Sequence, residues 1–367
     1  MELIFWHNII SPHQAPFVRE LAAAGNEVLV VSTEAMSEGR RRLGWAVPSV
    51  GRARVILGPT QAQVVQIVES SAPGSVHFIA GARGTPLGRQ AALACRASGR
   101  KMGIISEAAD SRGFGGSLRW VKYARERITL GKHFDFILAM GQKGVRWFKL
   151  CGYPESRIFP FAYVTDRHSG RLGGTPVNAV RFLFVGQLIS RKGLDLMQQT
   201  FVRVPHCELS VIGDGPQKAC LQEQARRSRI ADRVSWLGKM DAAHVQRHIG
   251  AADVLVLPSR EDGWGAVVNE SLMAGTPVIC STACGAADLI RQPWLGSVFQ
   301  SGSVSELASA LSSWASAGKR STAERERIRD WARCIEAPSI ARYVEKILEH
   351  IYNHGPRPQA PWRDGSA

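Results

Sequence analysis

The chain has no apolar run that approaches the roughly 18 to 20 residues a membrane-spanning helix needs; ADVLVLP at 252–258 is interrupted by Asp253 and ends in proline. It has no CxxC pair. Its seven cysteines are odd in number and widely spaced, a pattern that suits a reducing compartment and neither a disulfide framework nor a zinc site. No G-x-G-x-x-G follows the first strand-like run, where HNIISPHQAPFVREL (7–21) stands instead, so a nicotinamide-dependent dehydrogenase is not expected. Glu2 stands where a secretory leader would carry Lys or Arg, and a cytoplasmic protein is expected. Acidic residues are short, 31 against 46 basic, for a net charge of +15. The imbalance is uneven, since residues 1–170 hold 22 basic and 12 acidic side chains. Such a field attracts phosphates of a nucleotide, an anionic lipid or a nucleic acid and does not choose among them.

What is present is a globular composition, 45% hydrophobic and 21% charged, over 367 residues, more than one ordinary core holds. Short continuous apolar runs alternate with helix-like or glycine-rich stretches. They are ELIFW, EVLVVS, ARVIL, SVHFIA, KMGIIS and FDFILAM in the first half, then RFLFVG, ELSVIG, RVSWLG, DVLVLP and PVICS in the second. Runs apolar on both faces are strands of parallel sheets covered by helices. The reading is an α/β chain of two doubly wound domains, 1–165 and 179–337, separated by a polar linker over 166–178. Ile340, Tyr343, Val344, Ile347, Leu348 and Ile351 recur at helical spacing and predict an amphipathic helix over 338–354. The proline- and glycine-rich tail 355–367 is expected to be unstructured. Two such domains are expected to face a central cleft at the carboxyl ends of their strands, where ligands bind.

The stretch PSREDGWGAVVNESLMAGTPVICS (258–281) is the most informative. A strand ends, a polar loop carries Glu261, Asp262, Gly263, Trp264, Gly265 and Ala266, and a helix follows that holds Glu270 and closes at Gly275 and Pro277. A helix start at the carboxyl end of a parallel strand offers free N–H groups to an anion. The alternative is a capped loop in which Asp262 caps the helix and Glu270 lies on its solvated face. In FVGQLISRKGLD (184–195), Gly186 and Gln187 follow a strand and the cations Arg191 and Lys192 precede a helix, where they oppose its dipole unless an anion lies between.

The first of these segments closely resembles the signature of family 4 glycosyltransferases of the GT-B fold. That signature has two acids eight positions apart, a glycine-aromatic-glycine loop and an A-x-G-x-P-V-I run, here Asp262, Gly263-Trp264-Gly265, Glu270 and AGTPVI. The resemblance implies Glu270 on the donor ribose and Asp262 on the donor sugar, with Glu261 as the other candidate for the sugar. It implies Lys192 on the donor diphosphate, with Arg191 as second charge because Gln187 stands where the family usually has arginine. VIGDGP (211–216), with Gly213 and Gly215, and VSWLGKM (234–240) keep the family's order and border the base. The family's first acid is usually Glu, and here it is the shorter Asp. The implied protein is a GT-B enzyme with two Rossmann-like domains that transfers a sugar from a nucleotide diphosphate donor with retention. It requires neither metal nor cofactor.

The first half resembles the family less distinctly. His13 and Glu107 stand beyond strand ends and are candidate acceptor-side or catalytic residues; family members often have a histidine where Glu107 is. The segment GSLRWVKYARERI (116–128) interleaves Arg119, Lys122 and Arg125 with Leu118, Val121, Trp120 and Ile128, the form of a membrane-surface helix. An ordinary solvated helix face is the alternative. The expected partners are therefore a nucleotide-sugar donor, a glycan or lipid-linked acceptor in surface-polysaccharide or lipid-linked glycan synthesis, and an anionic membrane on its inner face. No nucleic acid is expected. A sugar-nucleotide epimerase of the same architecture is the rival enzyme, and a basic nucleic-acid-binding protein the rival of another class.

Overall fold

A computed structural model describes residues 1–42, 44–81, 85–109, 113–167 and 179–363. The chain divides into two compact units, Met1–Asp166 with Ile335–Gly365, and Arg167–Cys334. The predicted linker lies, from residue 168 to 178, outside the described residues.

In the first unit the apolar runs form β1 (Glu2–His7), β2 (Glu27–Ser32), β3 (Arg54–Leu57), β4 (Val76–Ala80), β5 (Lys101–Ser106), β6 (Phe136–Met140) and β7 (Ile158–Phe161). They pair in parallel in the order β3-β2-β1-β4-β5-β6-β7. The second unit has β8 (Val180–Val185), β9 (Cys207–Ile212), β10 (Val234–Gly238), β11 (Val254–Leu257), β12 (Val278–Ser281) and β13 (Gly296–Phe299), in the parallel order β10-β9-β8-β11-β12-β13. Helices join successive strands. The central strands are buried nearly throughout, as continuous apolar runs require.

The strands that the sequence reading did not anticipate, β7 and β13, are four residues long and lie at sheet edges. Pro160 inside IFPF argues against a strand in a sheet interior, but an edge strand tolerates the missing N–H. In both sheets the order reverses beside the first strand, between β1 and β4 and between β8 and β11. That reversal opens a crevice at the carboxyl ends where ligands enter such folds.

The amphipathic helix forms over Ala337–Asn353 and lies in the first unit, against the helix Ala15–Ala23. Ile340, Tyr343, Val344, Ile347 and Leu348 are buried, worth roughly 1.5 to 3 kcal/mol each for a fully buried large apolar side chain. The Tyr343 hydroxyl donates to the Pro160 carbonyl at 3.1 Å.

The tail corrects the expectation of disorder over its described part, 355–363. Arg357 donates to the carbonyls of Glu155, Ser156 and Ile158, its guanidinium stacks on Phe159 at 4.3 Å, and Trp362 is buried. One arginine that satisfies three carbonyls and one buried indole outweigh the proline and glycine content around them. Residues 364–367 lie outside the described residues.

Candidate functional site

At the reversal point of the second sheet two loops meet, Gly186–Gly193 after β8 and Pro258–Ala266 after β11. Gly193 holds a left-handed φ of +70°, and a Cβ there would fall 2.1 Å from the Pro258 carbonyl oxygen, so only glycine lets the loops touch. The backbone locks them, because Arg191 accepts from the N–H groups of Arg260 and Glu261 while its guanidinium donates to the Glu261 carbonyl at 3.2 Å. Arg260 reaches back with both arms to Asp195, at 2.7 and 2.6 Å, and to the Ser190 carbonyl.

Across this junction the Lys192 ammonium donates to the Asp262 carboxylate at 2.5 Å. The two side chains are only 14% and 12% exposed. Of the two cations at the helix start, Lys192 already has an anion inside the chain in Asp262, while Asp195 in the first turn of the helix Leu194–Phe201 pairs with Arg260. The dipole conflict seen in the sequence is thus relieved internally at Lys192.

Asp262 does not cap the following helix. That helix runs Val267–Met273, and Ala266 at its N-cap makes no side-chain bond. Asp262 is instead fixed by its backbone, which bridges to Cys284 and donates to the Ala283 carbonyl. Glu270 is half-buried and its carboxyl makes no hydrogen bond to the described residues; burial pushes its pKa up to about 7. Such a group is short of partners and gains from hydroxyls that donate to it.

Trp264 is a correction. Its indole is 1% exposed and donates to the Asn269 side chain at 2.7 Å, so any ligand contact from this position is through its backbone. The flanking Gly263, Gly265 and Ala266 are partly exposed. On the opposite side, Gly213 (φ +142°) lies against the β8 loop, where a Cβ would meet the Gly186 carbonyl oxygen at 1.9 Å. The Gly186 N–H donates to Ile212, Gly215 donates to the Asp214 carboxylate, and Gln187 is half-buried. These residues thus gather on one face of the second unit.

His13 and Glu107 lie in the first unit, after β1 and β5. The Tyr163 hydroxyl donates to Glu107 at 2.7 Å, and the His13 ring stacks on Tyr163 with centroids 5.4 Å apart. Burial, then the Arg40 charge, lowers the His13 pKa to about 4. Sequence reasoning missed Tyr163, Trp45, Arg260 and Asp195, because each matters only through a partner 27 or more positions away. Among the described residues no group of three or more His, Cys, Asp or Glu side chains is arranged to hold a metal ion, and no helix is long and apolar enough to cross a membrane.

Two doubly wound parallel sheets of this order, with a charged loop pair at the second reversal point, define the GT-B class. Solved structures show the same fold. The lipopolysaccharide outer core galactosyltransferase WaaB in its apo form has a TM-score of 0.72 at 17% identity, over 95% of this chain and 99% of that one. Anabaena HepE in complex with UDP has a TM-score of 0.72 at 16% identity, over 95% and 100%. Residues 173–333, all within the second unit, match the family described as glycosyl transferases group 1. The glycogen synthase of Mycobacterium tuberculosis is 30% identical over 190 residues, 49% of this chain and 45% of that protein. A GDP-mannose-dependent phosphatidylinositol monomannoside mannosyltransferase of Mycolicibacterium smegmatis is 25% identical over 222 residues, 58% and 56%. The chain thus spans about half the length of these relatives.

Proposed function

We propose that this protein is a glycosyltransferase that moves a sugar from a nucleotide diphosphate donor to an acceptor hydroxyl, with retention and without a metal. The observation that carries the reading is the loop pair of the second unit. It fixes a cation, Lys192, on Asp262 beside a second cation, Arg191, and presents Glu270 with its carboxyl unmatched. Glu270 takes the two ribose hydroxyls. Lys192 and Arg191 offset the charge that develops on the leaving diphosphate, and because they are held in place beforehand the chain does not reorganise to meet it. Asp262 positions the donor sugar, with Glu261 as the alternative, and the leaving phosphate takes the acceptor proton.

The family match of the second unit and the UDP complex of a protein with the same fold support this reading. The mannosyltransferase relative and WaaB are in keeping with an acceptor in surface-polysaccharide or lipid-linked glycan synthesis. A thermal-shift panel of nucleotide sugars tests it, since a true donor at 100 times its Kd stabilises by about 2.7 kcal/mol. If no nucleotide sugar in the panel shifts the midpoint, the reading fails.

A second proposal concerns the place of action. On the helix Gly113–Thr129, Leu118, Val121 and Ile128 are 50%, 51% and 70% exposed, along one stripe with Lys122 and Arg125. Trp120, 45% exposed, donates its indole N–H to the Leu150 carbonyl and joins exposed Leu150 to the patch. Apolar side chains set among cations are complementary to an anionic lipid surface, and we take that surface as the partner of this helix, at the inner face of the membrane.

A further inference from the structure

The loop pair of the second unit is held by an ion pair that has no role in the donor reading above. Arg260 lies on the loop after β11 and Asp195 in the first turn of the helix that follows β8, 65 positions away. The guanidinium reaches both carboxylate oxygens, Oδ1 at 2.7 Å and Oδ2 at 2.6 Å, and the nitrogen that serves Oδ1 also donates to the Ser190 carbonyl at 2.7 Å. One side chain of the β11 loop thus holds three acceptors on the β8 side, and its planar fork fixes direction as well as distance. Against the cost of burial, the guanidinium and backbone N–H groups hold the Asp195 carboxyl below its usual range, so the pair is charged at neutral pH. The backbone adds to it, since the N–H groups of Arg260 and Glu261 donate to the Arg191 carbonyl at 2.7 and 3.3 Å. Lys192 stands between these attachments in the chain, after Arg191 and before Asp195, and its ammonium donates to Asp262 on the loop that Arg260 anchors.

We propose that Arg260 is a positioning residue of the donor site: by clamping Asp195 it closes the loop pair and keeps Lys192 on Asp262, in the place from which the ammonium meets a diphosphate. Two effects combine in this role. The first is order. A long lysine side chain on a fixed loop loses less freedom when it takes up an anion than one on a loose loop. The second is charge. Asp195 is the acidic side chain nearest to Lys192 along the chain, and while Arg260 occupies both its oxygens it does not compete with Asp262 or with a ligand for the ammonium. Without Arg260 an unpaired carboxylate stands three positions from Lys192 and repels a diphosphate. The two terminal nitrogens of Arg260 are engaged on Asp195 and Ser190, so Arg260 acts through Lys192 and not on the nucleotide. The inference rests on the proposed donor site and adds the residue that shapes it.

Two measurements on the full chain test it. The first needs no ligand and follows hydrogen exchange in Arg260→Gln, which keeps a polar side chain and removes the charge and the fork. Exchange is expected to accelerate about fivefold or more over 186–193 and 258–266 and to stay as in the wild type in β8 and β11. Unchanged exchange in both loops overturns the inference, and so does acceleration that spreads equally through the strands, since Arg260 then serves the fold as a whole. The second is a double-mutant cycle by calorimetry, with UDP, GDP and ADP as probes. Arg260→Gln is expected to weaken the nucleotide that the wild type binds about tenfold, and Arg260→Lys, which keeps the charge without the fork, by less. In a Lys192→Ala background the glutamine change is expected to cost less than about twofold, because the side chain through which Arg260 acts is gone. Equal losses in the two backgrounds sink the inference. If the wild type binds none of the three nucleotides, the donor reading fails while the exchange data still decide the clamp. If it binds one and Arg260→Gln binds that one equally well, this inference fails and the donor reading stands.

Discussion

The two units share one strand order and carry side chains of opposite chemistry at their strand ends. At the reversal point of the second sheet the side chains are charged and paired, Lys192 on Asp262 and Arg260 on Asp195, and the helix that follows carries Glu270 unmatched. At the strand ends of the first sheet the side chains are aromatic, and the one histidine among them is neutral. The fold supplies the position and the residues supply the function. Charges held in advance suit a diphosphate, whose own charge grows as it leaves.

The most severe way to break this contrast is to unfold one side of it. Arg325, 8% exposed, donates to Asp253, to the carbonyl of Ala252 and to Thr276 in the core of the second unit. Arg325→Ala leaves Asp253 charged and buried, a loss of about 3 to 5 kcal/mol. Hydrogen exchange is expected to accelerate across β8 and β11 and to stay unchanged in β1 and in the helix Ala337–Asn353. Uniform acceleration would show that the units do not unfold separately.

A smaller effect is expected from Lys192→Ala. Loss of one charge-assisted contact weakens a nucleoside diphosphate by about 1.5 to 3 kcal/mol, roughly 10- to 150-fold. The same variant strands Asp262, so the unliganded chain melts lower as well. Calorimetry that finds the affinity unchanged removes Lys192 from the donor site, whatever happens to the melting point.

The same contrast explains what could be read from the sequence. The loop pair of the second unit was legible as a candidate because its residues fall in two short stretches, 186–195 and 258–270, each a strand end, a loop and a helix start. The internal pairing was not legible: Lys192 and Asp262 lie 70 positions apart, and only the fold shows that each is the other's counter-ion. Asp253 reads in sequence as a flaw in an apolar run, and becomes intelligible once Arg325 is placed against it. The aromatic cluster of the first unit was least legible, since positions 13, 45, 107 and 163 converge only when β1, β5 and β7 share a sheet. The tail was misread because composition counts prolines and glycines and does not see what Arg357 and Trp362 bind.

The pH dependence of donor affinity gives a further measure of the charged side. Burial raises Glu270 from 4.5 to about 7, so near neutrality a substantial fraction is protonated. The ionised carboxylate accepts from both ribose hydroxyls and the protonated one does so poorly, so affinity is expected to rise from pH 6 to pH 8. One charge-assisted bond of about 1.5 kcal/mol sets the limit at roughly tenfold. Glu270→Gln flattens the rise, and the difference between the two proteins cancels the titration of the ligand. Stability runs the other way. With the folded pKa above the unfolded one, the contribution is complete below 4.5 and is lost as pH rises through about 7. Glu270→Gln is therefore expected to melt higher than the wild type at pH 8; equal affinity profiles for the two proteins would take Glu270 out of the site.

The smallest effect belongs to the exposed face of the first unit. Arg125 lies on the same stripe as Leu118, Val121 and Ile128, so a surface that takes the apolar side chains into its headgroup region brings the guanidinium to the lipid phosphates. One basic residue near an anionic leaflet contributes about 1 kcal/mol, so Arg125→Ala should weaken binding to phosphatidylserine-containing vesicles roughly fivefold. Added salt should narrow the gap between the two proteins, because the charge term is screened within about 10 Å at 0.1 M. Leu118→Ser tests the other half of the face: it removes apolar burial, so its deficit should persist in salt. Co-sedimentation with neutral vesicles is the control, and only the leucine variant should differ there. If Arg125→Ala and the wild type sediment alike with anionic vesicles at low salt, the stripe is an ordinary solvated helix face, and the contrast between the units reduces to the side chains at their strand ends.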